Sequence, residues 1–124
     1  MDKSEYNLKI EELKTAMHAH DFEKAVDVAD SLDIKKIRDN NLLSLIADAY
    51  ELTGDNEQAK KILLMAYENT NTGRQLAYRL CLISIKLKEI DEANEFYHDF
   101  IIMAPRDSAR FILKYKMAKA SQLS

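Results

Sequence analysis

Turn-forming residues are scarce in this chain. Two glycines and one proline in 124 residues are too few for a fold made of many hairpins, so long helices joined by brief connections are expected. Tryptophan is absent, and cysteine occurs once, as Cys81. A single cysteine excludes a disulfide within the chain and a zinc site built on several thiolates. It also fits a reducing, cytoplasmic setting. No apolar run approaches the ~18 residues that a bilayer-spanning helix requires. The opening "MDKSEYNLKIEELK" is amphipathic and acidic, the wrong pattern for a secretory leader. A soluble cytoplasmic protein with no membrane partner is therefore expected.

A general excess of positive charge is missing too. The net charge is −3, but beyond Pro105 five basic residues, Arg106, Arg110, Lys114, Lys116 and Lys119, face Asp107 alone. That local balance of +4 leaves −7 for the rest of the chain. Binding to nucleic acid rests on phosphate neutralisation, so no nucleic-acid partner is expected of so acidic a body. The basic segment "RFILKYKMAK" needs its own explanation.

What the chain does contain is repetition. "HDFEKA" ends at Ala25, "GDNEQA" at Ala59 and "KEIDEA" at Ala93, so the three alanines are separated by two equal intervals. A fixed period between roughly 20 and 50 residues marks stacked supersecondary units, each too small to bury its own apolar face. Each piece has the chemistry of a helix–turn–helix corner. Gly54 can take the left-handed conformation that closes a helix. Asp55 can accept from the free N–H groups of the next helix, and Gln58 completes a capping-box variant. His20 and Lys88 stand where the glycine is, and Glu89 stands where the aspartate is. Apolar spacing fills the intervals, as in Leu43, Ile46, Ala47 and Tyr50, or Ala59, Leu63, Ala66 and Tyr67. Helices are expected near 3–19, 22–34, 40–53, 56–69, 74–87, 90–103 and 107–121.

These residues resemble the tetratricopeptide repeat (TPR), a 34-residue helix–turn–helix unit with the pattern W-x2-L-G-x2-Y…A-x3-F…P. Its length equals the interval between the alanines. The middle copy reads Leu43-x2-Ile46-Ala47-x2-Tyr50, then Ala59-x3-Leu63, with Asn71 in the proline slot. The third reads Ala77-x2-Leu80-Cys81-x2-Ser84, then Ala93-x3-Tyr97, with Pro105 in that slot. In the first copy the leading helix matches better one residue later, as Ile10-x2-Leu13-x3-Met17, which implies a shortened turn at "HAHD". The resemblance implies an all-α, right-handed TPR-like helical solenoid of antiparallel helix pairs, with about seven helices. The resemblance covers about 100 residues, and the expected single domain spans 1–124, with repeats near 6–39, 40–73 and 74–107 and a terminal helix over 107–121. Small residues at Ala25, Ala59 and Ala93 let backbones approach. In the terminal helix Phe111, Ile112, Tyr115 and Ala118 are expected to face inward, with Lys114 and Lys119 outward. Either this helix caps the array or it is the edge of a longer one, with Leu113 and Met117 meant for a further repeat.

Catalytic and metal chemistry finds no footing. His18 and His20 beside Asp21 hint at a metal, but residues two apart on a helix diverge and these straddle a turn, so a solvated corner is expected instead. Cys81 falls where the repeat wants a small buried residue. "DIKKIRDN" reads as a solvated connection with Asp39 or Asn40 as N-cap, and "NTNTGR" lacks the G-x-x-x-x-G-K-S/T arrangement for phosphate. Neither an enzyme, a cofactor nor a bound metal is expected. The resemblance instead implies a binding module whose concave groove holds a peptide or protein segment. Its groove positions would be Asn41, Ser44, Asp48 and Glu51 from the second repeat, and Gln75, Tyr78, Arg79, Leu82 and Lys86 from the third. The clamp that chaperone-binding members use for a C-terminal carboxylate maps to Ile10 and Lys14 (or Glu11 and Thr15), Leu45, Gln75 and Arg79. Only Arg79 matches, and a lone guanidinium does not recreate that convergent charge. Chaperone tails are therefore not expected as ligands. The alternatives are a recognition or regulatory part of a longer protein, or an assembly element forming a homodimer through Phe111, Leu113 and Met117.

Overall fold

Most helices begin where an aspartate side chain takes up free N–H groups, and three end where the backbone turns left-handed. The computed structural model describes residues 2–70, 73–104 and 106–123. Pro105 and Asn71, the expected proline-slot residues, lie outside them. The helices are α1 (Lys3–His18), α2 (Phe22–Asp30), α3 (Asn40–Leu52), α4 (Asn56–Glu68), α5 (Arg74–Lys86), α6 (Ile90–Met103) and α7 (Ala109–Leu123), with a 3-10 turn at Ile34–Lys36. No strand occurs among the described residues. The chain divides into two compact units, Met1–Met65 and Ala66–Ser124. In the first, α1 packs on α2 and α2 on α3. In the second, α6 and α7 both pack on α5, and α6 also packs on α7.

Three corners, each one period from the next, share one geometry. His20, Gly54 and Lys88 all have positive φ, at 60°, 91° and 62°. The next amide reaches back across the helix end at each, Asp21 to the Ala16 carbonyl, Asp55 to Tyr50 and Glu89 to Ser84, at 2.8, 2.8 and 2.9 Å. The amides of His20, Gly54 and Lys88 donate to Met17, Glu51 and Ile85 at 3.1, 3.1 and 3.0 Å. Together these are the paired bonds of a Schellman motif. The first corner is therefore not shortened, and the expected one-residue shift of the first repeat does not occur. Leu13, Ala47 and Cys81 are each without accessible surface, and Ala16, Tyr50 and Ser84 are likewise buried. Ile10 and Met17, which suggested the shift, are only half-buried. The larger side chains mislead because the true contact falls on small Ala16.

A non-glycine residue held left-handed is strained by roughly 1–2 kcal/mol. Glycine relieves that strain but gives back part of the gain as chain entropy. His20→Gly and Lys88→Gly are accordingly expected to stabilise the protein by about 0.5–1 kcal/mol each. Gly54→Ala should destabilise it by about 1–2 kcal/mol through its backbone alone, since an added Cβ there meets nothing within 4 Å. Urea unfolding midpoints check all three.

Caps explain the starts. Asp2, Asp21 and Asp55 accept from the amides of Glu5, Lys24 and Gln58 at 2.8, 3.3 and 3.2 Å. Asp39, not Asn40, caps α3, accepting from Asn41 and Leu42. Glu89 makes no side-chain cap bond. α2 stops at Asp30 rather than continuing to 34, because Ser31 bonds back to the Val28 carbonyl through both its amide and its hydroxyl. Such a side-chain bond competes with the helical ladder, and Leu32 and Ile37 beyond it turn into the core.

The core repeats with the corners. α3 buries Leu42, Leu43, Ile46, Ala47, Ala49 and Tyr50, and α5 buries the corresponding positions one period later, Leu76, Ala77, Leu80, Cys81, Ile83 and Ser84. Ala25, Ala59 and Ala93 have no accessible surface.

α7 breaks the pattern. Its buried residues are Leu113, Met117 and Ala120, while Phe111, Ile112, Tyr115 and Ala118 are exposed. Helix and inward face have both moved two residues along the chain, from 107–121 to 109–123, and two residues rotate a helix by about 200°. A dimer seam through Phe111, Leu113 and Met117 is thereby corrected. Leu113 and Met117 face the core of their own unit, where Met117 Sδ lies 3.6 Å from Cys81 Sγ.

Candidate functional site

The repeated burial of α3 and α5 leaves one stripe of each helix partly accessible. On α3, Asn41, Ser44, Asp48 and Glu51 are spaced i, i+3, i+7 and i+10 and so share a face. Asn41 is exposed and the other three are half-buried. On α5, Gln75 and Lys86 are exposed, while Tyr78, Arg79 and Leu82 between them are half-buried. Leu45 and Ile85 lie on these same stripes, half-buried. Ile85 escaped the sequence-based set because it stands one period after Glu51 with opposite chemistry.

The stripes differ in character. That of α3 presents an amide, a hydroxyl and two carboxylates, and that of α5 an amide, two cations, a phenol and aliphatic side chains. Asp48, Glu51, Arg79 and Lys86 each engage other groups of the chain. The Tyr78 ring leans against Phe100 of α6, with centroids 5.3 Å apart and planes tilted by 47°. That contact holds the ring to one side and leaves part of it accessible.

Several polar groups beside these stripes serve the scaffold. The Tyr67 hydroxyl donates to Asp99 Oδ2 at 2.9 Å, joining α4 to α6, and its ring meets Phe96 edge-on. Gly73 makes room for that ring: a Cβ there would stand 3.0 Å from Tyr67 Cδ1 and 2.9 Å from Thr70 Cγ2. Asp107 accepts from the Ala109 amide at 2.9 Å and pairs with Arg74 at 3.4 Å, tying the start of α7 to the start of α5. Tyr50 donates to Asp30 in the first unit. The Ser84 hydroxyl is buried with no partner among the described residues.

Burial pushes the Cys81 thiol up to about 12, so it is protonated at neutral pH and a poor nucleophile. No cluster of three metal-ligating side chains occurs among the described residues. His20 closes α1 with its ring stacked 5.7 Å from Phe22. No described helix is long and apolar enough to cross a membrane.

Burial first, then the bond to Asp99 and its charge, raise Tyr67 from 10.0 to about 12. A raised acid favours the folded state in its protonated form. Its contribution is complete below pH 10, and it is lost as pH climbs from 10.0 to about 12. Tyr50 and Cys81 are shifted in the same direction. Stability measured by urea unfolding is expected to decline across this alkaline window, and Tyr67→Phe should make the decline shallower. An unchanged slope in the variant would remove Tyr67 as a contributor.

No family model and no curated protein matches this sequence. Solved structures do. One is an Arabidopsis OM64 TPR domain at 14% identity, with a TM-score of 0.72, covering 91% of this chain and 93% of that one. Another, described as the TPR2B-domain:pHsp70 complex of yeast Sti1, is 20% identical with a TM-score of 0.73, covering 94% of this chain and 99% of that one. At such identities the likeness is one of backbone, and it agrees with the corners and burial described above. The chain has the all-α fold of a tetratricopeptide-repeat domain.

Proposed function

We propose that this chain is a non-catalytic protein-interaction module that holds a peptide or protein segment, with the partly accessible stripes of α3 and of α5 as separate candidate contact surfaces, one in each compact unit. One observation carries the reading. Two helices one period apart bury the same set of positions and spare the same stripe, and on those stripes the residues are chemically varied rather than uniformly solvating. Amides at Asn41 and Gln75 can bond an extended backbone, and Tyr78 and Leu82 can shelter an apolar side chain. The TPR2B domain of similar fold is described in complex with pHsp70, which supports a protein or peptide as ligand. A chaperone tail is disfavoured here, because Ile10, Lys14, Leu45 and Gln75 do not supply the clamp that Arg79 would complete.

The test is affinity recovery of a partner with the wild-type chain, Gln75→Ala, Asn41→Ala and Tyr78→Ala. Gln75 and Asn41 are exposed, so their variants should melt like the wild type, and each is expected to recover severalfold less partner. Unchanged recovery by all three would dismiss the reading. Tight binding of an acidic C-terminal peptide, abolished by Arg79→Ala, would overturn the exclusion of chaperone tails.

A further inference from the structure

Helix α7 is apolar on two opposite sides. Leu113, Met117 and Ala120 are buried, but Phe111, Tyr115, Ala118 and Gln122 form a second seam spaced i, i+4, i+7 and i+11. Phe111 is 74% exposed, Tyr115 67% and Ile112 beside them 52%. Of the six large apolar side chains most exposed among the described residues, these are three. A helix that merely closes a repeat array presents a polar outer face. This one presents the narrow seam of a helix–helix contact.

Charge identifies what fits there. From Ala109 to Leu123 the helix carries Arg110, Lys114, Lys116 and Lys119 and no acidic residue. At about 100° per residue, Lys114 and Lys119 fall on opposite flanks of the seam, and both are exposed. We infer that the outer face of α7 docks an amphipathic helix of a partner protein whose apolar stripe is edged with aspartate and glutamate. Phe111 and Tyr115 anchor the contact, and the flanking lysines choose the partner, as charges beside a coiled-coil seam do. A second α7 does not satisfy this face, since pairing two copies sets lysine against lysine. An anionic bilayer would attract the charge, but membrane-surface helices sink a broad apolar face, whereas this seam tapers to Ala118 and Gln122. The surface lies on a different helix from the α3 and α5 stripes, so either can fail without the other.

Two labelled synthetic helices test the inference by anisotropy titration against the full chain. Both carry leucine at heptad positions a and d; one has glutamate at e and g, the other lysine. The glutamate peptide is expected to bind, and the lysine peptide to bind about tenfold more weakly or worse. Phe111→Ala and Tyr115→Ala should each weaken the glutamate peptide about tenfold, with melting curves unchanged because both side chains are exposed. The double reversal Lys114→Glu/Lys119→Glu should transfer the preference to the lysine peptide. No binding of the glutamate peptide, no discrimination between peptides, or indifference to Phe111→Ala overturns the proposal. So does a sedimentation mass that rises with concentration and is abolished by Phe111→Ala, which makes a second copy the occupant. Phe111-dependent binding to phosphatidylcholine vesicles containing phosphatidylserine, with no peptide bound, overturns it in favour of a lipid surface.

Discussion

Truncating Leu80 to alanine is expected to destabilise the protein by about 2–5 kcal/mol, seen as a lower midpoint of urea unfolding. Leu80 has no accessible surface and sits in the middle of the buried face of α5. Both α6 and α7 pack on that helix, so rigid elements enclose the lost atoms and the cavity cannot collapse freely. Leu82 supplies the control. Two residues further on, it belongs to the partly accessible stripe, and its truncation should cost about 1 kcal/mol or less. Equal losses at the two positions would contradict the burial pattern that defines the repeat.

Enlarging Ala93 to leucine is expected to destabilise by about 1–3 kcal/mol, although leucine is the more hydrophobic residue. Ala93 has no accessible surface, and its amide closes the first turn of α6 on the Glu89 carbonyl at 3.0 Å. It lies just past the left-handed corner at Lys88, where the chain has reversed and α6 must lie against α5. Added carbons there either force off-rotamer side chains or push the helices apart. Asn94 next to it is exposed, and Asn94→Leu should change stability by no more than about 0.5 kcal/mol. A fully stable Ala93→Leu protein would mean that close backbone approach is not what selects alanine at this position.

Most of the helices and the Gly54 corner are legible in the local sequence. α6 spans the range that its apolar spacing predicts, and the boundaries of α1, α3, α4 and α5 fall within a residue of expectation. The Gly54 corner was readable because glycine and aspartate are used there for reasons that hold in any protein. The corners at His20 and Lys88 were harder, since neither residue advertises a positive φ, and only the even spacing of the repeats pointed to them. In the first repeat Ile10 and Met17 are large and apolar and Ala16 is small, so local spacing places the register one residue late. On the stripes of α3 and α5, the exposures of Asn41 and Gln75 follow from periodicity. The contact of Tyr78 with Phe100 does not, because it joins residues from different helices.

α7 draws the boundary most clearly. Capping bonds, left-handed corners and apolar spacing act within a few residues, so the chain's local chemistry settles where most of its helices lie and how often the motif recurs. Which flank of α7 goes inward is a different kind of question. Its apolar residues occupy two opposite sides, and both would serve a local rule equally well. Only the packing of Leu113, Met117 and Ala120 into the core of their own unit chooses between them, and that choice leaves Phe111 and Tyr115 facing water.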